Sequence, residues 1–469
     1  MATTDKKSAS YAATDPHELA KRFIQRHNHD SHNHAALRYW RDEFWRFHNG
    51  RYRRISQAEL QAEISQFVRE EFQRDKPTTR AGQIVQVTRS LVGNVMQALM
   101  GKTLVPSLLE QPLWLGNGQV GPFFVFTNGM VQIEDATTGL QPRIAPHCAN
   151  WFTQTTFPYD FSPSATCLKW LAFLNEVLEQ DQERIALLQQ WFGYCLTTDT
   201  TQQRFIIAVG EGENGKSVVL DVLTAMLGPE NVAHVPVEVF AQRFQLTMTL
   251  GKLANISFDT GEIDESAEAT IKQFTGGDRM YFDRKGVTGL FAYPTARLIL
   301  ATNHDPRFSD TSKGIWRRMI VLPFRVSIPR QRQDPQLAVK LKGELPGIFN
   351  WAVEGLRDLR RQNQFTIPLV SQQAWDEFRH ESNPAREFLT EHFEAARVEG
   401  SMSCAGLYEG YIAWCEGRHL KPLDATRFGK EVRRTFPLVE RRRESQGVRH
   451  WQYHGVRARD ARELQTLAI

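Results

Sequence analysis

The sequence is poor in cysteine, with five scattered through 469 residues at positions 148, 167, 195, 404 and 415. Because no two of them form a C-x-x-C pair, the sequence argues against a cysteine zinc site and a disulfide framework, and it fits a reducing compartment. Long apolar runs are also missing, since no stretch approaches the ~20 apolar residues that span a bilayer. Residues 1–14 are polar and lack the apolar core of a signal peptide. We therefore expect a cytoplasmic protein without a membrane anchor.

A strong net charge is absent as well. The 57 Lys and Arg residues nearly balance the 53 Asp and Glu residues, which leaves a net charge of +4. That value is too small to indicate nucleic-acid binding by itself. Residues 401–460 are more uneven, with 12 basic and 7 acidic residues and hence five excess positive charges. The chain is also longer than one compact core usually holds, so we expect several domains.

What the sequence does contain is a glycine-rich phosphate-binding motif. Residues 210–217 read Gly-Glu-Gly-Glu-Asn-Gly-Lys-Ser and match G-x-x-x-x-G-K-[ST]. The apolar run 205–209 predicts a buried strand before the motif, and the run 218–223 predicts a helix after it. In that context glycines let main-chain N–H groups approach phosphates, and the helix N-terminus adds a positive dipole. The motif therefore predicts a site for ATP and Mg²⁺.

Within this loop, Lys216 is expected to neutralise the β- and γ-phosphates, and the Ser217 hydroxyl is expected to hold Mg²⁺. The expected nucleotide-binding residues are Gly210, Glu211, Gly212, Glu213, Asn214, Gly215, Lys216 and Ser217.

Two further apolar runs predict the rest of an ATP-hydrolysing site. Residues 253–258 end at Asp259, and Glu262 follows three positions later. Asp259 would orient Mg²⁺ through its water shell and Glu262 would polarise the attacking water, although the sequence also allows the reverse division. The run 296–302 ends at Asn303, whose amide can sense the γ-phosphate and orient water. An acidic surface loop is the alternative interpretation of Asp259 and Glu262.

The pattern of turns, caps and apolar positions divides the chain into segments. The expected segments are a disordered tail (1–14), an α+β N-terminal region (15–110), a β-rich and then helical region (111–199), a nucleotide-binding core (200–330), a helical extension (331–384), a small C-terminal domain (385–460) and a second tail (461–469).

Local signals predict several individual elements. The expected elements are a helix starting at Asp15-Pro16, a hairpin around Asn49-Gly50, a helix capped by Ser56, a β-rich stretch at 113–145, and helices near 80–99, 164–178, 181–197, 346–362 and 372–381. Residues 27–34 contain four histidines, but a mixture of His, Asn, Asp and Ser is typical of loops and no spacing selects a metal geometry. We interpret this run as an ordinary loop rather than a metal site.

The order of these motifs resembles the superfamily 3 helicases of small viruses, phages and plasmids. The resemblance is greatest to the phage and plasmid primase–helicase family with a poxvirus-type helicase domain. It is carried by GEGENGKS, LANISFDTGEIDESAEATIKQFTGGDRMYFDRK, ARLILATNHDPRF and GIWRRMIVLPF, all within about 200–330. Two departures are notable: many relatives have Glu where this chain has Asp259, and the ~200 residues before the core show no primase motif.

The resemblance implies a fold, an assembly and a direction of movement. The implied fold is an α/β P-loop NTPase core of the AAA+ type, with a small winged-helix-like domain at the C-terminus. The implied assembly is a hexameric ring that translocates 3′ to 5′ on single-stranded DNA. In such a ring Arg317 or Arg318 would act as an arginine finger on the γ-phosphate of the neighbouring subunit. Without the resemblance, a surface salt bridge would be the preferred interpretation of these two arginines.

The resemblance also implies that DNA lies in the channel, against the segment between the Asp259 strand and the Asn303 strand. Basic and aromatic residues alternate there, which suits a hairpin that grips phosphates and stacks on bases. The expected contacts are Phe282, Arg284 and Lys285, with the last two at the hairpin tip. The alternative is an ordinary basic turn with Phe282 in the core.

The C-terminal segment offers a second possible DNA contact. Residues 404–414 and 424–434 predict two helices, and residues 441–451 predict two short strands around a turn. This arrangement resembles a winged helix-turn-helix, which binds DNA in many proteins and docks proteins in others. The expected DNA-binding residues are Arg427, Lys430, Arg433, Arg434 and Arg442.

Together these patterns predict an ATP-dependent, ring-forming DNA helicase of a phage, plasmid or integrated mobile element that acts in replication. The expected partners are single-stranded and forked DNA, further copies of the chain in a homohexamer, and a separate primase. The alternative is a DNA-stimulated ATPase that initiates replication or remodels nucleoprotein without processive unwinding. A DNA-binding protein without enzymatic activity is a third class, against which the complete Gly-Lys-Ser argues.

Overall fold

The computed structural model describes residues 14–27, 29–30, 34–78, 84–117, 120–138, 142–303, 307–308, 313–381, 383–396, 400–418, 420, 422–443 and 450–459. The predicted disordered tail (1–14) lies almost wholly outside the described residues, and the predicted second tail (461–469) lies wholly outside them. Among the described residues, no helix combines the length and the apolarity that crossing a bilayer requires.

The N-terminal region packs three helices against a small sheet. Its elements are α1 (Pro16–His27), β1 (Leu37–Trp40), β2 (Glu43–His48), β3 (Arg51–Ile55), α2 (Gln57–Asp75) and α3 (Arg89–Thr103). The three strands are antiparallel in the order β1-β2-β3, and Asn49-Gly50 forms the predicted turn. The Ser56 hydroxyl accepts a hydrogen bond from the N–H of Glu59 at 3.1 Å, which confirms the predicted cap. Helix α3 starts nine residues later than predicted because Thr88 caps it.

The next region is less β-rich than its turns predict. Its elements are β4 (Leu113–Trp114), β5 (Phe123–Phe126), β6 (Gly129–Gln132), α4 (Ile133–Thr138), β7 (Trp151–Phe152), α5 (Leu168–Val177) and α6 (Gln182–Cys195). Thr127 and Asn128 form the turn that joins β5 to β6. Strand β4 pairs antiparallel with the distant β7. The two helices α5 and α6 confirm the predictions at 164–178 and 181–197.

A five-stranded parallel sheet forms the centre of the molecule. The elements of this part are β8 (Phe205–Val209), α7 (Lys216–Leu227), β9 (Val232–Ala233), β10 (Ala254–Phe258), β11 (Glu262–Ile263), α8 (Glu265–Phe274), β12 (Met280–Phe282), β13 (Leu290–Ala292), β14 (Arg297–Thr302), β15 (Arg307–Phe308), α9 (Lys313–Trp316) and β16 (Met319–Pro323). The strand order is β16-β8-β14-β10-β9, and all neighbouring pairs are parallel. The predicted α/β core is therefore present. Strand β14, which ends beside Asn303, separates β8 from the β10 strand that precedes Asp259.

Both faces of the sheet are buried, which explains why its strands are apolar throughout. In β8, Ile206 and Ala208 belong to one core, while Phe205 and Ile207 belong to the other. The first core also includes α5, α6 and the helix Leu345–Gln362, so the helices on either side of the nucleotide-binding segment pack on its sheet. The helices after the sheet are α10 (Leu337–Lys342), α11 (Leu345–Gln362) and α12 (Leu369–Glu381).

The C-terminal region has a core of its own, built from three helices and five short strands. These elements are α13 (Pro384–His392), β17 (Phe393–Ala395), β18 (Ser401–Ser403), α14 (Cys404–Gly417), α15 (Ala425–Thr435), β19 (Glu440–Arg443), β20 (Trp451–His454) and β21 (Val456–Ala458). The Asp424 carboxylate caps α15 as predicted, and β19 pairs antiparallel with β20 as predicted. Residues 444–449, which join those two strands, lie outside the described residues.

Candidate functional site

The glycine loop connects the carboxyl end of β8 to the first residue of α7. Gly215 has φ +82°, and a Cβ at this position would lie 2.6 Å from Val177 Cγ1. A Cβ at Gly210 would lie 2.2 Å from Asn214 Nδ2 and 2.4 Å from the Phe324 carbonyl oxygen. Gly215 is therefore required for its backbone conformation and its close packing, and Gly210 is required for its close packing alone.

Lys216 bridges the loop and the neighbouring strand β14. Its side chain is almost fully buried, and Nζ donates hydrogen bonds to the carbonyl oxygens of Gly210 at 3.0 Å and Thr302 at 2.5 Å. Nζ also donates to Asn303 Oδ1 at 2.9 Å. Burial lowers the pKa of Lys216, and the negative charge of Asp259 opposes this shift. The ammonium group is thus held in position at the edge of the sheet where the loop lies.

Asn214 holds the loop in shape. Its Oδ1 accepts a hydrogen bond from the main-chain N–H of Lys216 at 3.2 Å, and its Nδ2 donates to the carbonyl oxygen of Phe324 at 3.3 Å. Because Asn214 is buried, it positions the loop rather than presenting its side chain outward. In contrast, the side chains of Glu211, Glu213 and Ser217 are exposed.

Asp259 lies in a strained turn directly after β10. Its φ is +51°, a left-handed conformation that costs a non-glycine residue energy and recurs at functional sites. Glu238, which the sequence interpretation did not single out, supports this turn, since its Oε1 accepts a hydrogen bond from the N–H of Gly261 at 2.9 Å. Glu262 begins β11 two residues after Thr260, and its side chain falls outside what the structure describes. The division of roles between Asp259 and Glu262 therefore stays a prediction.

Three of the sequence-predicted residues thus meet at one edge of the sheet. Lys216 and Asn303 are hydrogen-bonded, and the charge of Asp259 acts on Lys216. All three follow the carboxyl ends of parallel strands, where open α/β sheets bind ligands. The site combines a buried cation, an exposed carboxylate and an exposed amide beside a loop that opens toward solvent at Gly212.

The two predicted finger arginines lie at the opposite edge of the sheet. The carbonyl oxygen of Arg318 accepts a hydrogen bond from the N–H of Phe205, the first residue of β8, at 2.9 Å. The five residues of β8 therefore separate Arg318 from the glycine loop by roughly 16 Å. The side chain of Arg317 is exposed, whereas Arg318 Nη1 donates to the Gly314 carbonyl oxygen at 2.7 Å. Burial lowers the pKa of Arg318. Neither main chain lies beside the glycine loop of the same chain.

The hairpin β12–β13 corrects two of the predicted DNA contacts. Phe282 is fully buried in the core beneath the sheet, so its ring does not face outward to stack on bases. Arg284 is buried as well, and its guanidinium donates to the carbonyl oxygens of Thr288 at 2.8 Å and Arg41 at 3.1 Å. It also lies 3.5 Å from the Glu43 carboxylate. Arg284 therefore ties the hairpin to the N-terminal sheet, and Lys285 remains exposed.

The outward face of the same hairpin carries aromatic rings that are not among the predicted DNA contacts. Tyr281 and Phe291 form a cross-strand pair, with ring centroids 5.3 Å apart and exposures of 52% and 60%. Tyr293 is 45% exposed, and the Arg279 guanidinium lies 5.8 Å from its ring centroid. Strand alternation was the available signal, because residues flanking a buried Phe282 must point the other way. This aromatic face is a better base-stacking candidate than Phe282.

The five predicted DNA-binding cations of the C-terminal region are all exposed, in contrast to Arg284. Four of them lie on α15, and Arg442 lies on β19. Arg427 Nη2 approaches Glu265 of α8 at 3.7 Å, and Arg434 Nη1 approaches the buried Glu431 at 3.5 Å. On the neighbouring hairpin, the guanidinium of Arg441 lies 4.5 Å from the ring centroid of Trp451, which is 44% exposed. Helix and hairpin thus present positive charge and one aromatic ring.

Comparison with protein families gives two matches. Residues 208–318, which contain the glycine loop, Asp259, Asn303 and both finger arginines, match DUF5906, a family of unknown function. Residues 382–460, which form the C-terminal region, match the RFX DNA-binding domain. The chain therefore joins an α/β core to a segment that resembles a DNA-binding domain.

Two curated viral proteins with provisional helicase names are distantly similar. One, from Acanthamoeba polyphaga mimivirus, is 22% identical over 255 residues, which cover 48% of this chain and 26% of that protein. The other, from Invertebrate iridescent virus 3, is 23% identical over 224 residues, which cover 45% of this chain and 23% of that protein. The chain spans about a quarter of the length of these relatives.

A solved structure shares the fold over almost the whole chain. The apo structure of the C-terminal region of NrS-1 superposes with a TM-score of 0.50 and 11% sequence identity. The match covers 94% of this chain and all of that chain. At this identity the similarity concerns the fold.

Proposed function

We propose that this protein is an ATP-dependent DNA helicase that works as a homohexameric ring in the replication of a phage, plasmid or integrated mobile element. The observation that carries the proposal is the convergence of Lys216, Asn303 and Asp259 beside the glycine loop at the carboxyl edge of the parallel sheet. The distant similarity to viral proteins named as helicases supports it. The protein would act in the cytoplasm and receive primers from a separate primase.

The residues at this edge fit ATP with Mg²⁺ as substrate. Lys216 already binds three oxygens, and its ammonium would exchange one of them for a phosphate oxygen. Ser217 and Asp259 would hold Mg²⁺, which would offset the negative charge of the phosphates. Glu262 or Asp259 would polarise the attacking water, and Asn303 would orient it.

The position of the arginines supports a site shared between subunits. Arg317 and Arg318 lie about one strand length from the glycine loop of their own chain, at the opposite edge of the sheet. In a ring, that edge of one subunit would face the nucleotide of the next. Arg317, which is exposed, is then the stronger candidate for the finger, since Arg318 is partly buried and bonded to its own chain.

DNA would bind at two places. The hairpin would offer Lys285 and its aromatic face to a single strand inside the ring. The C-terminal region, which matches a DNA-binding domain, would offer Arg427, Lys430, Arg433, Arg434 and Arg442 to the duplex arm of a fork.

A forked-DNA unwinding assay with ATP and Mg²⁺ tests the proposal. We expect strand separation by the purified chain and none by Lys216→Ala, with both proteins sedimenting as hexamers. Lys252→Ala is the matched control, because it removes another lysine that is partly buried, and Lys252 precedes β10 at the other edge of the sheet. Unwinding by Lys216→Ala at the control rate would overturn the assignment of the loop.

The match to a DNA-binding domain also favours a second candidate, a DNA-stimulated ATPase that initiates replication or remodels nucleoprotein. The same assay separates the two candidates. DNA-stimulated ATP hydrolysis without strand separation, on forks of any polarity, would identify the second.

A further inference from the structure

Three potential metal ligands from two distant chain segments meet in the N-terminal half. Asp30 Oδ2 lies 2.9 Å from His34 Nδ1, and Cys148 Sγ lies 3.5 Å from the same nitrogen. All three ligand atoms lie within 4.8 Å of one another. The Asp30 side chain is 2% exposed and that of His34 is 34% exposed. The cluster is therefore buried on one side and open to water on the other.

The backbone holds these side chains in place. The N–H of His34 donates to Asp30 Oδ1 at 2.8 Å, and the N–H of Ala149 donates to Asp30 Oδ2 at 2.8 Å. The Tyr52 hydroxyl donates to the Ala149 carbonyl oxygen at 2.6 Å, which fixes the second segment against β3. The arrangement is thus determined by main-chain contacts in addition to the contacts among the three side chains.

The Cys148 sulfur lies partly buried in its own loop. Burial, the largest influence, raises the pKa of the Cys148 thiol, the nearby Asp30 charge raises it further, and hydrogen bonds with the main chain of Asn150 and Trp151 oppose this shift. A metal ion would therefore have to displace the thiol proton, because the thiolate is the form that binds metals.

The geometry excludes a cysteine–histidine–aspartate catalytic triad. In a triad the nucleophile and the carboxylate bind different nitrogens of the imidazole ring. Here both approach Nδ1, so the histidine cannot take a proton from one while the other orients it. Three ligand atoms gathered around one point are instead the arrangement of a metal site.

We propose that Asp30, His34 and Cys148 bind a zinc ion, with a water molecule as fourth ligand on the open side. Tetrahedral zinc with Zn–N near 2.05 Å and Zn–S near 2.3 Å holds these two ligands about 3.5 Å apart. The observed separation of His34 Nδ1 and Cys148 Sγ is 3.5 Å. The ideal N···O separation is about 3.3 Å, so the Asp30 oxygen and His34 Nδ1 would move apart by about 0.4 Å from their hydrogen-bonding distance of 2.9 Å.

Such an ion would clamp the loop after α1 to the loop before β7. The interpretation of the histidine run as an ordinary loop would then be wrong for His34. The clamp would fix the N-terminal region, including the Arg41 carbonyl that receives Arg284, against the rest of the chain. This inference is independent of ATP hydrolysis.

Metal titration of the full-length chain tests the site. After removal of metals with a chelator, we expect one Zn²⁺ bound per chain by calorimetry and a Tm that rises by a few degrees with Zn²⁺ and falls with EDTA. Co²⁺ should give a sulfur-to-cobalt charge-transfer band. Cys148→Ser should abolish that band and weaken zinc binding by roughly a hundredfold or more.

Cys404→Ser and His48→Asn are the controls, because they remove a thiol and an imidazole elsewhere, and they should bind zinc like the parent. Asp30→Asn preserves the shape of the cluster and should also weaken binding if Cys148→Ser does not fold. Less than about a tenth of a zinc per chain in the parent protein, or an unchanged charge-transfer band in Cys148→Ser, would overturn the proposal.

Discussion

The glycine-loop site and the C-terminal basic surface use positive charge in opposite ways. At the loop a single ammonium, that of Lys216, is buried and bound to three oxygens. On the C-terminal surface, seven cations on α15 and β19 are exposed to solvent. The charge is concentrated at one buried group in the first region, and it is distributed over several exposed groups in the second.

This difference determines how each region should respond to change. A buried, fully bonded cation acts where the local dielectric constant is low, so its loss has a large effect. Exposed cations are screened by salt, and several of them contribute to the same interaction, so the loss of one has a small effect. The hairpin β12–β13 combines both situations, because Arg284 is buried and the next residue, Lys285, is exposed.

The largest effect is expected at the loop. Lys216→Ala should lower ATP hydrolysis by at least about a hundredfold, because the variant loses the buried ammonium that we expect to neutralise the β- and γ-phosphates. Steady-state hydrolysis with and without DNA measures this, with Lys252→Ala as the control. A loss below about threefold would contradict the contrast between the two regions, because removing the buried lysine would then lower activity no more than removing an exposed cation.

The second effect concerns the opposite edge of the sheet. Arg317→Ala should still bind a fluorescent ATP analogue but hydrolyse ATP roughly a hundredfold more slowly. Mixing it with Lys216→Ala should restore part of the activity, because some interfaces would pair an intact loop with an intact arginine. Arg361→Ala, an exposed arginine on α11, is the control. Proteins that co-assemble and stay inactive on mixing would argue against a shared site.

A smaller effect is expected on the aromatic face of the hairpin. Replacing Tyr281 and Phe291 together by Ser should weaken single-strand affinity by about tenfold or more, because stacking contributes roughly 1–3 kcal/mol per base. Basal ATP hydrolysis should not change. Val339→Ser, at a valine that is 72% exposed, controls for lost surface apolarity. Unchanged single-strand affinity would remove this face from the proposed DNA path.

The smallest effect is expected on the C-terminal surface. Arg433→Ala with Arg434→Ala should weaken fork binding severalfold at physiological salt and reduce the log–log salt slope by about two units, about one for each lost phosphate contact. Arg418→Ala is the control, because Arg418 is already paired with Glu387 and Glu391. An unchanged slope would favour a protein partner for this region.

Local signals predicted the glycine loop, the cap at Ser56, the hairpin at Asn49-Gly50 and the helix at Asp424, since each depends on neighbouring residues. The hairpin at 280–292 was predicted less well. Its sequence is compatible with burial of Phe282 and Arg284 and equally with burial of Tyr281 and Lys285. Packing against the central sheet and the N-terminal region decides which pair is buried. Strand alternation alone predicts that Tyr281 and Phe282 lie on opposite faces of the hairpin, but it does not predict which face is buried.

The sequence by itself determined the order of the core strands along the chain, the glycine loop and the residues that follow each strand, because apolar runs, glycines and caps act over a few residues. Tertiary structure alone decided that β14 lies between β8 and β10, that Lys216 reaches Asn303 across 87 positions, and that Arg318 lies at the far edge. It also brought Cys148 to Asp30 and His34. These contacts depend on which surfaces pack together, and packing of distant segments leaves no mark in the local pattern of the chain.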